Sequence, residues 1–269
     1  MIDPVKITDD VKRLFKPDGW NRTIRIGVVV PHADVGPEVE IQTMASSDIT
    51  VHASRIFFSA MRAGGEMDQK IPHEPVTSFV EAPHLDNAVE SLCASPLDVV
   101  GLAFTSSAYK HGPEGERALI ARLKSVSRDI PIVSTCLSAE RAFATLGTKK
   151  LAMINPAWFD DDLVSQGADY FSSAGFNVVH QSSCGIPSGQ KFVTPGALYY
   201  WIEKAVKESG ADTVFVGGNG QRSVGVIDAV EKTLGVSIVT GNQLILWDSL
   251  RSIGADTKIL GYGRLFEQP

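Results

Sequence analysis

The sequence predicts an α/β protein built on parallel sheets and divided into two similar lobes that share one cleft. Three observations predict it. Apolar runs rich in β-branched residues recur along the 269-residue chain, continuous rather than alternating, as strands covered on both faces require. Segments of 3.6-residue periodicity separate these runs, so a helix can carry the chain back to each parallel neighbour. Finally, two pairs of segments echo each other: RIGVVVPHAD at 25–34 with KLAMINPAWFD at 150–160, and VVGLAFTSS at 99–107 with TVFVGGNGQ at 213–221.

In chain order, a strand at 24–30 ends in Pro31, and Pro37 opens a helix over 37–46. A strand at 49–53 follows, then a helix at 84–94 whose Leu85, Ala88, Val89 and Leu92 fall on one face. Next come a strand at 97–103, a helix at 114–126, a strand at 131–134 and a helix at 138–146 stopped by Gly147. The second half repeats the alternation: strands at 150–154, 176–179, 212–216 and 236–239, with helices at 160–174, 195–208, 222–233 and 242–252. Gly175, Gly210, Gly235 and Gly254 read as helix stops. This gives an N-terminal extension (1–23), a first lobe (24–145 plus 240–269) and a second lobe (146–239).

With 43% hydrophobic and 21% charged residues, a chain of this length buries a sizeable core as one large domain or two small lobes. A net charge of −6 without long charge runs argues against nucleic acid and leaves small molecules as the expected partners. The polar, acidic opening MIDPVKITDD has no leader pattern, and no run approaches the ~20 apolar residues of a membrane span. A cytoplasmic protein without membrane association is expected. Cys93, Cys136 and Cys184 are odd in number and widely spaced, so neither a disulfide framework nor a metal site is expected. Cys93 lies on the apolar face of its helix and reads as a buried structural thiol.

Together with the C-terminal GYGRLFE at 261–267, the four echoing segments resemble the maleate cis-trans isomerase and arylmalonate decarboxylase group of the Asp/Glu racemase superfamily. RIGVVVPHADVGPEVEIQTM is similar to the isomerases' opening strand and turn, and GYGRLFE to the decarboxylases' ending. The resemblance implies two pseudo-symmetric Rossmann-like (flavodoxin-like) lobes, a cofactor-free isomerase or lyase, a small carboxylate substrate and a homodimer. It also places the family's two catalytic cysteines at Phe104 and Gly218, so both thiols are replaced here. A subgroup associated with ectoine utilisation is similar in its TSS stretch and GGNG turn.

Thr105 and Ser106 match hydroxyl residues that hold a substrate carboxylate in the decarboxylases. Hydroxyls and free amides where a strand enters a helix suit negative charge, although the same residues could simply cap the helix. Gly218, Asn219 and Gly220 would form the facing wall, or a plain tight turn; the glycines lack the spacing of a nucleotide loop. Trp158 stands where the decarboxylases have a substrate-bonding Tyr, and its indole N–H is the candidate donor, with burial as a core aromatic the alternative. Asp34 replaces an isomerase Asn that contacts a substrate carboxylate; there it would attract a cation or act as a protonated general acid. His32 and Glu38 are its candidate acid–base partners, against structural roles in a turn and a helix start. Cys136, at a strand end before a helix, is a possible site thiol with a lowered pKa, or a buried packing residue. A non-catalytic carboxylate-binding protein is the competing class of function. Hydrolysis has no GxSxG elbow or HExxH helix to support it.

Overall fold

The computed structural model describes residues 7–268. A short helix α1 (Asp9–Lys12) precedes β1 (Ile24–Pro31), α2 (Gly36–Met44) and β2 (Ile49–Ile56). A hairpin of β3 (Met61–Arg62) and β4 (Glu66–Met67) follows, then α3 (His73–Ser78), α4 (His84–Cys93), β5 (Val99–Leu102), α5 (Thr105–Leu123), β6 (Ile132–Ser134) and α6 (Thr135–Leu146). The second half runs β7 (Leu151–Asn155), α7 (Asp161–Ser173), β8 (Val178–Ser183), α8 (Pro195–Ser209), β9 (Thr213–Val216), α9 (Ile227–Leu234), β10 (Ser237–Thr240) and α10 (Gly241–Ser252).

Two four-stranded sheets result, ordered β2-β1-β5-β6 and β10-β9-β7-β8, and every pairing within them is parallel. Numbered within its own half, each sheet has the order 2-1-3-4, so the lobes are pseudo-symmetric, and the echoes in the sequence are their first and third strands. In this topology the crevice opens where the strand order reverses, beyond the carboxyl ends of those two strands. Four chain segments therefore converge: Pro31–Asp34 and Phe104–Ser106 from one lobe, Pro156–Trp158 and Gly218–Gly220 from the other.

All eight predicted core strands are present, and the helix boundaries differ in two informative places. The chain is already helical at Thr105, because α5 runs through Gly112 with a kink there (φ 69°, ψ 174°) just before Pro113. Gly-Pro reads in sequence as a break, yet it bends a helix that begins at the strand end. Helix α6 likewise starts at Thr135 rather than 138, so Cys136 sits in its first turn. The hairpin and α3 were not anticipated; their strands of two residues are too short to show a period, and Gly64 and Gly65 turn the chain at positive φ (82° and 74°).

Helix α10, buried around nearly its whole circumference, leaves the second sheet and packs on α2, α6, β5 and β6. Its approach to β5 is close enough to require glycine: a Cβ on Gly101 would lie 2.5 Å from Ile245 Cγ2. Gly101→Ala should therefore destabilise the protein by about 1–3 kcal/mol through overpacking against a stiff β-branched side chain. Gly27→Ala, whose new methyl meets the flexible tip of Leu97, should cost less. Urea midpoints of the two variants check the order.

Candidate functional site

The convergent segments enclose a cavity of about 50 Å³, room for only a few water-sized groups. Its wall is largely aromatic and thioether, from Phe58, Phe79, Phe104, Trp158, Met61 and Met67. Phe79 joins Phe58 and Phe104 by edge-on contacts at 5.5 and 4.9 Å, so Phe104 fills its place as part of a packed cluster. The Trp158 segment is fixed from below: its carbonyl accepts from the Ile71 amide at 2.9 Å, and Lys70 Nζ donates to the carbonyls of Ala157 and Phe159 at 2.9 and 2.7 Å.

Two polar features interrupt this wall. One is the start of α5, whose N-cap Phe104 supplies no capping side chain, so the first-turn amides keep no side-chain partner. Ser106 and Ser107 line the cavity beside them, and the Ser107 hydroxyl is spent on the Val76 carbonyl at 2.7 Å. The other is Asp34, the only ionisable side chain among the described residues lining the cavity. Its Oδ1 accepts from Gly36 N at 2.8 Å and Gln190 Nε2 at 2.6 Å. Burial pushes the Asp34 carboxyl above its usual range, opposed by these two hydrogen bonds and by Arg55, and reinforced by Glu38. Arg55 in turn donates to the Asp34 carbonyl at 2.6 Å and pairs with Glu38.

Beneath the cavity a hydrogen-bonded network spans both lobes. Gly218 N donates to Thr105 Oγ1 at 3.1 Å, and Thr105 donates to Asn219 Oδ1 at 2.8 Å. The Thr135 hydroxyl lies 3.0 Å from the same oxygen. Asn219 Nδ2 donates to Asn242 Oδ1 at 3.1 Å, and Asn242 Nδ2 donates to Asn219 O and Glu40 Oε2, both at 2.8 Å. Glu40 also accepts from the amides of Ser223 and Val224 at 2.6 and 3.1 Å.

Of the residues singled out in the sequence, Asp34, Thr105, Ser106, Trp158, Gly218, Asn219 and Gly220 line one cavity. Thr105 and Asn219 spend their side chains on each other, which leaves Asp34, Ser106, the Trp158 indole and main-chain groups on the wall. His32 does not line the cavity: its Nδ1 accepts from Phe58 N at 3.1 Å and its ring lies on Phe57, centroids 4.7 Å apart. Glu38 is held by Arg55. Cys136 is fully buried, off the cavity wall, and burial pushes its thiol well up, opposite to the lowered value expected from its place before a helix. Cys184 is also buried, its thiol pushed up to about 11 by desolvation, and donates to Gln221 Oε1 at 3.4 Å. No group of three or more potential metal ligands occurs among the described residues.

Gln190, Glu40 and Asn242 were not read from the sequence as site residues. Gln190 lies in a polar loop without periodicity, and Asn242 reads only as a helix opener. Glu40 did carry a signal, as a carboxylate on the buried face shared by Pro37, Ile41 and Met44.

Two parallel 2-1-3-4 lobes closing on a cavity at their switch points define a protein of the Asp/Glu racemase fold. The arylmalonate decarboxylase family model matches residues 27–266, and the chain belongs to that family. It is 25% identical to a maleate isomerase of Geobacillus stearothermophilus over 255 residues, covering 90% of this chain and 96% of that one. Among solved structures, maleate cis-trans isomerase from Nocardia farcinica superposes with a TM-score of 0.78 at 16% identity, over 91% of this chain and 98% of that one. An arylmalonate decarboxylase superposes at 0.73 with 21% identity, over 91% and 100%. Among the described residues no helix is long and apolar enough to cross a membrane.

The raised Asp34 carboxyl carries a stability consequence. A group whose folded pKa exceeds its unfolded value, about 3.9 for Asp, contributes stability below that value and loses it as pH rises through the folded pKa. Asp34→Asn does not titrate, so it should melt above the wild type at pH 7, the gap narrowing as pH falls through the folded pKa and closed below about 4. Thermal melts across that range check the sign.

Proposed function

We propose that this protein is a cofactor-independent isomerase or decarboxylase of a small carboxylate, with Asp34 in the proton-transfer role that thiols hold in its relatives. A single observation carries the reading: the one ionisable group among the described residues on an aromatic cavity wall is a carboxyl whose pKa burial raises, and it shares that cavity with an uncapped helix start. The substrate carboxylate would rest on the first-turn amides of α5 and the Ser106 hydroxyl, which also stabilise the enolate that forms beside them. Asp34 Oδ2 would deliver a proton to the carbon, or its carboxylate remove one, and water would restore the starting state. In a decarboxylation the electron pair of the broken carbon–carbon bond stays on the enolate until that proton arrives, and carbon dioxide leaves.

The two positions assigned to family thiols support this division of labour. Phe104 fills one with a ring. At the other, Gly218 adopts φ 79°, and a Cβ there would lie 2.2 Å from Pro156 Cγ. The wall is built around the absence of a side chain, and the cavity bears no cysteine.

A second reading is favoured by the charge on the wall. A dicarboxylate would bring a second anion toward Asp34 with no cation lining the cavity. A zwitterion, with its carboxylate on α5 and an ammonium or amidinium group on Asp34, is balanced, which suits ectoine-type compounds as substrates or as ligands bound without turnover.

Proton NMR in deuterated water, with maleate, aryl- and alkylmalonates, aspartate, hydantoins and ectoine-type compounds, decides between these. Deuterium entering a carbon position, or release of carbon dioxide, marks catalysis; saturable line broadening alone marks a binding protein. On the responsive compound, Asp34→Asn should lower turnover at least ~100-fold and Ser106→Ala ~10- to 100-fold. Unchanged rates in both variants would remove these residues from the mechanism.

A further inference from the structure

The segment between β8 and α8 reaches from the second lobe to Asp34 and Gly220 on the cavity wall, and its Gln190 is half-buried against them. Among the described residues, Gln190 is the only side chain hydrogen-bonded to the Asp34 carboxyl. Its amide nitrogen carries two protons: one is donated to Asp34 Oδ1 at 2.6 Å and the other to Gly220 O at 2.9 Å. Gly36 N donates to the same Oδ1 at 2.8 Å. An oxygen engaged by two donors is held as an acceptor, so the proton of a neutral Asp34 belongs on Oδ2. That oxygen lies over Gly220, where a Cβ would come within 2.9 Å of it. Two residues earlier, the Ser188 hydroxyl donates to the Asp68 carbonyl at 2.7 Å, which fastens the same segment to the first lobe.

We propose that Gln190 is a positioning residue for Asp34: it fixes Oδ1 as the acceptor, so that the acid presents its proton on Oδ2 to the cavity, and it joins closure of the 184–194 segment to assembly of that acid. This rests on the reading of Asp34 as the proton-transfer group. Facing Asp34 from β2 is Arg55, and from α2 come Glu38 and Glu40. The second lobe contributes only the neutral Gln190 amide and the main chain of Gly220 to its hydrogen bonding and close contacts. Changes at 190 are therefore read on Asp34 without adding or removing a charge.

The test is a carbon-13 NMR titration of protein labelled at aspartate side-chain carboxyls, with the Asp34 signal assigned by its loss in Asp34→Asn. Gln190→Met keeps the size of the side chain and removes both N–H donors; Gln190→Leu serves if the first variant folds poorly. The N–H bond to Oδ1 favours ionised Asp34, so its loss should move the Asp34 midpoint to higher pH. On a responsive substrate, proton exchange should fall about tenfold as the acid loses its fixed orientation. A midpoint that stays put, or moves down because water enters past a loosened segment, overturns the proposal. The two layers fail separately. Full turnover in Asp34→Asn would overturn the proton-transfer reading and this inference with it. An unmoved titration beside an inactive Asp34→Asn would leave the acid in place and withdraw the role of Gln190.

Discussion

The Thr105 hydroxyl, accepting from Gly218 N and donating to Asn219, is the interaction on which the cleft depends. It joins the third strand of one lobe to the third strand of the other directly under the cavity, and all its atoms are buried from water. Each such bond, once one partner is removed, leaves a desolvated donor or acceptor costing about 1–3 kcal/mol. Through Asn242 and Glu40 the same network reaches α10 and α2, so hydrogen bonds tie the two halves together beneath the cavity. The cavity keeps its shape only while these bonds hold the two lobes in register.

The environment of Asp34 follows from the same constraint. Apolar walls desolvate the carboxyl, which is why its pKa is raised despite two donors and a nearby Arg55. The cavity thus combines a buried carboxyl with the uncapped main-chain amides of a helix start.

Fold and cavity frame were largely legible in the sequence because both rest on periodic or repeated signals. Continuous apolar runs gave the strands, and the echo between RIGVVVPHAD and KLAMINPAWFD gave the pseudo-symmetry. Since ligand crevices lie beyond the strand ends, residues such as Asp34, Ser106 and Trp158 could be located before any coordinate was known. What was not legible depends on contacts between distant parts of the chain. Whether Thr105 faces a ligand or Gly218 turns on a partner 113 residues away. Cys136 has the local setting of a reactive thiol, yet packing from other elements removes it from solvent and reverses the direction of its shift. Gln190 sits in a loop where nothing local marks it, and only the folded chain brings it to Asp34 across 156 residues.

The left-handed backbone at Gly218, pressed against Pro156, also limits what this turn can carry. Any side chain introduced there would strain the backbone and meet the proline ring before it could reach the cavity, so a change at 218 has to be accompanied by a change at Pro156 or in the turn itself. The two positions are sterically coupled, and the smoothness of this stretch of wall is a property of the pair rather than of the glycine alone.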